Sequence, residues 1–509
     1  MTGAAGGTGA GTNLKGEASG AAWTYLLDSL EVGRLLCLGV PSPASRRTLE
    51  RVAGELVVAD RLSDIPPGRF DVICIAGRPR SRVGADLLVD LARRLEAGGV
   101  LYVEGRTRAR LERASARSGL VPRSAFRMTP ATGEVESAVP ADDAAIARWF
   151  RRHRITVRRG RSRISRLLHR VVPTHDAIRV GLFAGRETAP GAERVQAYIR
   201  TAAQAAGLDL GSHRVGLSAR GRYGSRKVIA YLFAPGGTSP DLVVKMTRDP
   251  SHNERLLNEE RALIKVAEQQ LADVGTAPMA LFSADHGSLR LVAETAIEGS
   301  PLTDAASRRA VADAYRWLIE LSARSVDRGP AATARRATSI DHIVGDVNRV
   351  YRLPASTTGR LEDAARRVID AADALPTVFM HGDAHVWNVL LRPDGRVAFL
   401  DWEAADADGM PLWDLFHFAR SHVIAGAGFG RLARRPRALL RTIAGDDLTR
   451  SAVAAYTGRL GIDPRLVGPL MTLCWAHRAL REVTRLEAAD REASHYLGLM
   501  EASLDPDRG

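Results

Sequence analysis

Three cysteines in 509 residues leave little from which to build a disulfide framework. Cys37, Cys74 and Cys474 stand far apart in apolar surroundings, without the paired spacing a zinc site requires, and they read as reduced core thiols. Long hydrophobic runs are also missing. Stretches such as Val72 to Ala76 end after a few residues, whereas a spanning helix needs about 20 predominantly apolar ones. The amino terminus, MTGAAGGTGAGTNLKGEASG, has neither the basic start and apolar block of a secretory signal nor a Gly at position 2 for myristoylation. A cytoplasmic protein with a disordered leader over residues 1–20 is therefore expected. The glycine-spaced run Gly6 to Gly11 follows no strand and reads as flexible tail rather than phosphate cradle. Acids are outnumbered, 58 Asp and Glu against 72 Lys and Arg, for a net charge of +14. Arg greatly exceeds Lys, and Ala and Gly are abundant, as GC-rich coding DNA would give. Basicity alone thus does not argue for a specific nucleic-acid partner.

What is present is an ordered chain of more than one domain, since this length allows two to four. From Arg34 onward short apolar runs alternate with helical stretches: Leu35 to Val40, helix-like Pro43 to Val52, Leu56 to Ala59, Phe70 to Ala76, amphipathic Ala85 to Leu95, a Gly98-Gly99 break, then Val100 to Glu104. Strands buried on both faces read as continuous apolar runs, so residues 21–150 are expected to form an α/β, Rossmann-like domain with a parallel, doubly wound sheet. Residues 151–204 open with a stretch crowded with Arg and read as a basic linker. It is either a solvated connector or a contact for an anionic lipid or glycan surface. Strand-like Val215 to Ser218, Lys227 to Phe233 and Leu242 to Met246 then form a meander. A helix-like Asn253 to Leu271 and a strand-like Leu289 to Ala293 follow. From Asp304 the pattern is mostly helical, broken by short apolar runs at Thr377 to Met380 and Val397 to Leu400.

The sharpest chemical signal is His381-Gly382-Asp383-Ala384-His385-Val386-Trp387-Asn388, followed by Asp401-Trp402-Glu403. Phosphoryl transfer asks a protein mainly for positioning and charge neutralisation. One carboxylate must face the attacking group, and hard oxygen ligands must hold magnesium against the phosphates. An Asp followed five positions later by an Asn, then a hairpin through Arg392-Pro393-Asp394-Gly395, then an Asp at a strand end, supplies those groups in that order.

This pattern resembles the aminoglycoside phosphotransferase and choline kinase group of kinase-like enzymes, with their HGD-x4-N loop and D-W/F-E strand end. The resemblance covers roughly Gly211 to the carboxy terminus and is sharpest between Val378 and Asp414. It implies an α+β bilobal kinase-like domain with an amino-terminal lobe over 205–297 and a helical lobe over 298–509. It implies ATP and magnesium as cofactors and phosphorylation of a hydroxyl or amine on a small-molecule or glycan-type substrate. By the same resemblance Asp383 orients or deprotonates the acceptor, and Asn388 and Asp401 hold magnesium. Lys245 contacts the first phosphates with Glu259 as its partner and Glu260 as an adjacent competitor, while Gly224 and Ser225 lie in the loop over the phosphates. Val292 to Ala296, with Glu294 and Ala296, forms the segment whose backbone meets adenine. Asp414 and His381 would hold the catalytic loop. Pocket residues are expected from Tyr315 to Leu321 and from Met471 to Glu482.

Arg34 to Gly105 also resembles a reduced class I methyltransferase fold, with Leu36-Cys37-Leu38-Gly39 as first strand and turn and Asp60 at the next strand end. The glycine-rich turn such enzymes use is replaced by Gly39-Val40-Pro41-Ser42-Pro43, and the prolines remove backbone donors. Weak or absent S-adenosylmethionine binding is expected. Two other readings stay open at this level: a non-catalytic nucleotide-binding scaffold and a bifunctional methyltransferase-kinase.

Overall fold

The computed structural model describes residues 21–75, 85–105, 108–129, 135–153, 179–186, 195–219, 227–305, 307–427, 432–483 and 494–505. The chain divides into two compact units. The first is Met1–Pro240 with Val244–Pro250 and Asp285–Leu289. The second is Asp241–Val243, Ser251–Ala284 and Arg290–Gly509.

In the first unit the apolar runs become β1 (Val32–Leu38), β2 (Ala53–Ala59), β3 (Phe70–Ile75) and β4 (Leu95–Gly105), with helices α1 (Pro43–Val52) and α2 (Ala85–Arg93) between them. Ser42 caps α1 by accepting from the Ser45 N–H, and Pro43 takes the first helical position, where its missing N–H costs nothing. Pairs β1–β2, β1–β3 and β3–β4 are parallel, with Leu36 opposite both Val57 and Ile73. Cys37 and Cys74, distant in sequence, are register neighbours on β1 and β3; both are buried free thiols.

The parallel arrangement stops after these four strands. Helix α3 (Arg108–Arg117), β5 (Val121–Thr129), β6 (Ser137–Pro140), α4 (Ala144–Arg152) and β7 (Arg179–Gly185) follow, and β7 inserts antiparallel between β4 and β5. Part of the expected 151–204 linker is therefore a central strand, and another part is α5 (Ala197–Ala205). The six residues Val180 to Gly185 are small or apolar and fit a strand, a signal masked by the Arg-rich stretch before them. That stretch beyond His153, like the leader with Gly6 to Gly11, lies outside the described residues. The sheet continues through β6 to β8 (Arg214–Ser218), with Ser137 opposite Ser218, and on to β9 (Lys227–Phe233). Phe150 of α4 packs on Tyr231 and Phe233, and a side chain at Gly216 would strike its ring. Strand β10 (Leu242–Thr247) lies beside β9 in the sheet.

The second unit begins its regular structure with α6 (Asn253–Glu268) and the strands β11 (Ala280–His286) and β12 (Leu289–Thr295). Strand β13 (Ser300–Pro301) and the helices α7 (Leu302–Ala305), α8 (Arg308–Arg324), α9 (Pro330–Tyr351) and α10 (Ala355–Asp370) come next. The strands β14 (Val378–Met380), β15 (Val389–Leu391), β16 (Val397–Phe399) and β17 (Asp406–Gly409) form small sheets, β13-β15-β16 and β14-β17. Helices α11 (Trp413–Gly426), α12 (Pro436–Gly445), α13 (Asp447–Leu460), α14 (Val467–Val483) and α15 (His495–Leu504) close the chain. Helix α8 buries Val311, Ala314, Tyr315, Leu318 and Leu321, the three-to-four spacing of an amphipathic helix. They join Phe399, Trp402, Phe416, Phe418 and Trp475 in one core. No helix among the described residues is long and apolar enough to cross a membrane.

Candidate active site

The loop His381 to Asn388 leaves β14 and is fixed from three sides. Gly382 has φ 76°, and a Cβ there would lie 1.8 Å from the Ala404 carbonyl oxygen, so only glycine lets the chain pass. Asp414, in the first turn of α11, accepts the His381 N–H at 2.5 Å on Oδ2 and the Gly382 N–H at 3.0 Å on Oδ1. Ser421 Oγ, two turns on, accepts the Val386 N–H at 3.0 Å. His381 spans the loop and the strand end beyond the hairpin: its Nδ1 accepts from the Asp383 N–H at 3.2 Å, and its Nε2 lies 3.1 Å from the Leu400 carbonyl. Burial pushes this imidazole down to about 4, so it is neutral, with the proton on Nε2.

The β15–β16 hairpin returns Asp401 to the loop. Val389 pairs with Phe399, and the Leu400 N–H donates to the Asn388 carbonyl at 2.8 Å. Asp401 itself has φ 69°, a left-handed conformation that Asp tolerates better than most residues. The Asn388 amide nitrogen donates to the Asp383 carbonyl at 3.1 Å, which turns its Oδ1 away as an acceptor. Asn388 and Asp401 thus offer two hard oxygens at one end of one hairpin. Magnesium prefers such a site, one or two protein oxygens completed by phosphate and water, to a dedicated protein cage. The described residues hold no cluster of three or more His, Cys, Asp or Glu that could bind a metal.

Asp383 is met by an imidazole and a guanidinium. His385 Nε2 lies 3.4 Å from its Oδ2, and Arg478 Nη1 donates to its Oδ1 at 3.3 Å. Burial alone would favour the neutral acid. The His385 ring and the Arg478 guanidinium outweigh it and hold the carboxyl well below the usual range. Arg478, from α14, also donates to the Gly382 carbonyl at 2.6 Å and to His417 Nδ1 at 3.0 Å, and His417 Nε2 in turn meets the Tyr496 hydroxyl at 3.2 Å.

Sequence reasoning did not single out Arg478, His385 or His417. The available signal was an Arg set among Leu473, Cys474, Trp475, Ala476 and Ala479, all buried; a cation there requires a buried partner. Its side chain is 11% exposed and that of Asp383 26%. Arg478→Met would leave a half-buried carboxylate without its guanidinium, for which about 1 to 3 kcal/mol of destabilisation is expected, below the range for a fully buried pair. Urea unfolding of the variant checks this, and an unchanged midpoint would mean the pair contributes nothing.

Glu259 on α6 is fully buried and accepts the Trp402 N–H on Oε1 at 3.1 Å. Its neighbour Asn258 donates to the Glu403 and Ala405 carbonyls at 3.1 and 2.8 Å, so α6 clasps the segment after Asp401. Glu260 is spoken for elsewhere, paired with Arg290 at 2.9 Å and with the Ser283 hydroxyl at 2.5 Å. Lys245 is buried in β10 of the first unit. Glu294 is buried in β12. The Ala296 N–H donates to the Asp241 carbonyl at 2.9 Å. Gly224 and Ser225 lie outside the described residues. Tyr315 to Leu321 points largely into the core. A groove in the unit is lined by α9 and by His477, Leu480 and Arg481 of α14, which lie within the expected Met471 to Glu482.

Burial raises Asp414 to about 6, against Arg478 and the two backbone donors, which favour its ionised form. A folded value above the ordinary carboxylate value of about 3.9 means the group adds stability as pH falls from about 6 towards 4, and withdraws it above 6. The unfolding midpoint of Asp414→Asn should therefore rise less, or fall more, from pH 7 to pH 5 than that of the parent. An equal shift would place the titration elsewhere.

Among solved structures, the chain is similar to aminoglycoside phosphotransferase APH(3'')-Id from Streptomyces rimosus, solved with ADP and streptomycin. The identity is 18% over 54% of this chain and 90% of that one, with a TM-score of 0.30. Choline kinase LicA from Streptococcus pneumoniae is 13% identical over 56% of this chain and 92% of its own, at a TM-score of 0.37. WbdD, solved with the kinase inhibitor LY294002, is 12% identical over 86% of this chain and 87% of its own, at a TM-score of 0.28. None of the curated proteins matches. Residues 230–456, which include Lys245, Glu259, Asp383, Asn388, Asp401 and Asp414, match the model of APH, the phosphotransferase enzyme family.

Proposed function

We propose that this chain is an ATP- and magnesium-dependent phosphotransferase whose acceptor is a hydroxyl or amine of a small-molecule or glycan-type substrate. The observation that carries the reading is the mutual fixing of loop and strand end. The Leu400 N–H is bound to Asn388, the His381 ring to Leu400, and the Asp383 N–H to His381. These bonds bring an ionised carboxylate and two hard oxygens to one place in the order that phosphoryl transfer uses.

In this reading Asp383 accepts a hydrogen bond from the acceptor group and orients it, with Arg478 and His385 fixing the carboxylate's direction. Asn388 Oδ1 and Asp401 would hold magnesium, and the metal would supply charge neutralisation for the transferred phosphoryl group. Glu259 holds the Trp402 amide and so keeps the segment after Asp401 in register. Lys245 is assigned to the phosphates by the family pattern, and Gly224 and Ser225 to the loop over them. A complete set of such groups favours an enzyme over a nucleotide-binding scaffold, which has no need of an oriented carboxylate. We add no methyl transfer: at the turn after β1 the Gly39 N–H is used by the Ala59 carbonyl at 2.8 Å, and Pro41 and Pro43 offer no donors.

The test is calorimetric titration of the full chain with ATP, with and without magnesium. Binding that depends on magnesium is expected, and the absence of any ATP binding would overturn the reading.

A further inference from the structure

The guanidinium that holds Asp383 is itself held. Arg478 directs Nη1 to Asp383 Oδ1 at 3.3 Å and shares Nη2 between the Gly382 carbonyl at 2.6 Å and His417 Nδ1 at 3.0 Å. A guanidinium only donates, so His417 Nδ1 accepts and the ring proton stands on Nε2. That N–H donates to the Tyr496 hydroxyl at 3.2 Å. The arrangement needs a neutral ring, because a proton on Nδ1 would face a cation. His417 is 2% exposed, and burial, reinforced by the Arg478 guanidinium, holds its imidazole well below the ordinary value.

Tyr496 is fixed in turn. On α15 its ring lies 4.6 Å from the Arg420 guanidinium and stacks on Trp475 of α14, and Arg420 donates from Nε to His495 Nε2 at 2.9 Å. Asp414, His417 and Ser421 recur on α11 at spacings of three and four residues, one face of a helix. Asp414 and Ser421 take the loop's backbone N–H groups. His417, between them, takes the guanidinium that meets the loop's carboxylate. Without an acceptor at 417, Nη2 would keep only the Gly382 carbonyl, and the fork could turn and carry the Asp383 carboxylate with it.

We propose that His417 is a positioning residue for phosphoryl transfer: backed by Tyr496, it fixes the direction in which Arg478 turns the Asp383 carboxylate toward the acceptor. The proposal rests on the phosphotransferase reading, which gives Asp383 its reaction. Three full-length variants test it. His417→Phe keeps a ring in the space without an acceptor, His417→Asn returns an amide oxygen near the place of Nδ1, and Tyr496→Phe removes one hydroxyl. Each is assayed for release or transfer of label from γ-labelled ATP with magnesium, with water, sugars, amino alcohols and aminoglycosides as acceptors, and each is titrated calorimetrically with Mg-ADP. His417→Phe should lower kcat about 10- to 100-fold, since a displacement of about 1 Å can cost 10²-fold, with the KM for ATP and the Mg-ADP affinity within about three-fold of the parent. His417→Asn should restore kcat to within about three-fold of the parent. Tyr496→Phe should lower it about 2- to 10-fold, the range for one hydrogen bond.

An unchanged kcat in His417→Phe or in Tyr496→Phe, or equal losses in His417→Phe and His417→Asn, would each overturn the proposal. Loss of Mg-ADP affinity in His417→Phe would mean a disturbed fold, and Tyr496→Phe then decides alone. The parent separates the two levels. If it binds no Mg-ADP, or binds it and transfers label neither to water nor to any acceptor, the phosphotransferase reading fails, whereas an active parent with indifferent variants counts against His417 alone.

Discussion

Asp383→Asn is expected to lower kcat by about 10² to 10⁴, the usual contribution of a positioned acid-base or orienting carboxylate, while leaving the affinity for Mg-ATP within a few-fold of the parent. Asn is nearly isosteric and can still accept from Arg478, so the loop bonds to Asp414 and His381 remain and the loss falls on the acceptor's orientation. The neutral amide no longer balances the Arg478 guanidinium, and this separates the charge of Asp383 from its shape. The measurement is kcat and KM on a confirmed acceptor alongside nucleotide titration. More than half of the parental kcat would remove Asp383 from the chemistry.

For Asp401 the expected loss is of a different kind, in metal-dependent binding. Without it the donor set keeps only the neutral Asn388 oxygen, which cannot balance a divalent cation, so the magnesium-dependent part of ATP affinity should vanish. Asp401 occupies a left-handed backbone conformation, and Ala there adds strain of order 1 kcal/mol. Asp401→Asn is the better variant, because Asn tolerates that conformation and keeps one oxygen. Its ATP affinity with magnesium is expected to approach that of the parent in the presence of a chelator. Unchanged affinity and metal dependence would reduce Asp401 to a turn residue.

The loop and hairpin were legible because their geometry is local. A loop of eight residues and a hairpin of fixed length bring Asp383, Asn388 and Asp401 together wherever the rest of the chain lies, and the spacing alone carries that. Helix α1 was legible for the same reason, its Ser42 cap and Pro43 start standing beside its apolar face. Arg478 was not, because it reaches Asp383 across 95 residues and its meaning lies in burial, which a single sequence shows only as an odd cation among apolar neighbours. The choice between Glu259 and Glu260 needed the helix register, which places one against Trp402 and the other against Arg290. Strand β7 was hidden because a central antiparallel strand is defined by its partners β4 and β5, not by its own short run of small residues. The pairing of Cys37 with Cys74 is likewise a product of register: strands β1 and β3 are adjacent in space though not in sequence.

Transfer of label from γ-labelled ATP to an acceptor tests the central claim most directly, with the full chain, magnesium and a panel of sugars, sugar acids, sugar phosphates, amino alcohols and aminoglycosides. The account predicts a phosphorylated product from at least one acceptor, formed only with magnesium and nearly lost in Asp383→Asn. Tight Mg-ATP binding with no label on any acceptor, or transfer at equal rates by parent and Asp383→Asn, would contradict it.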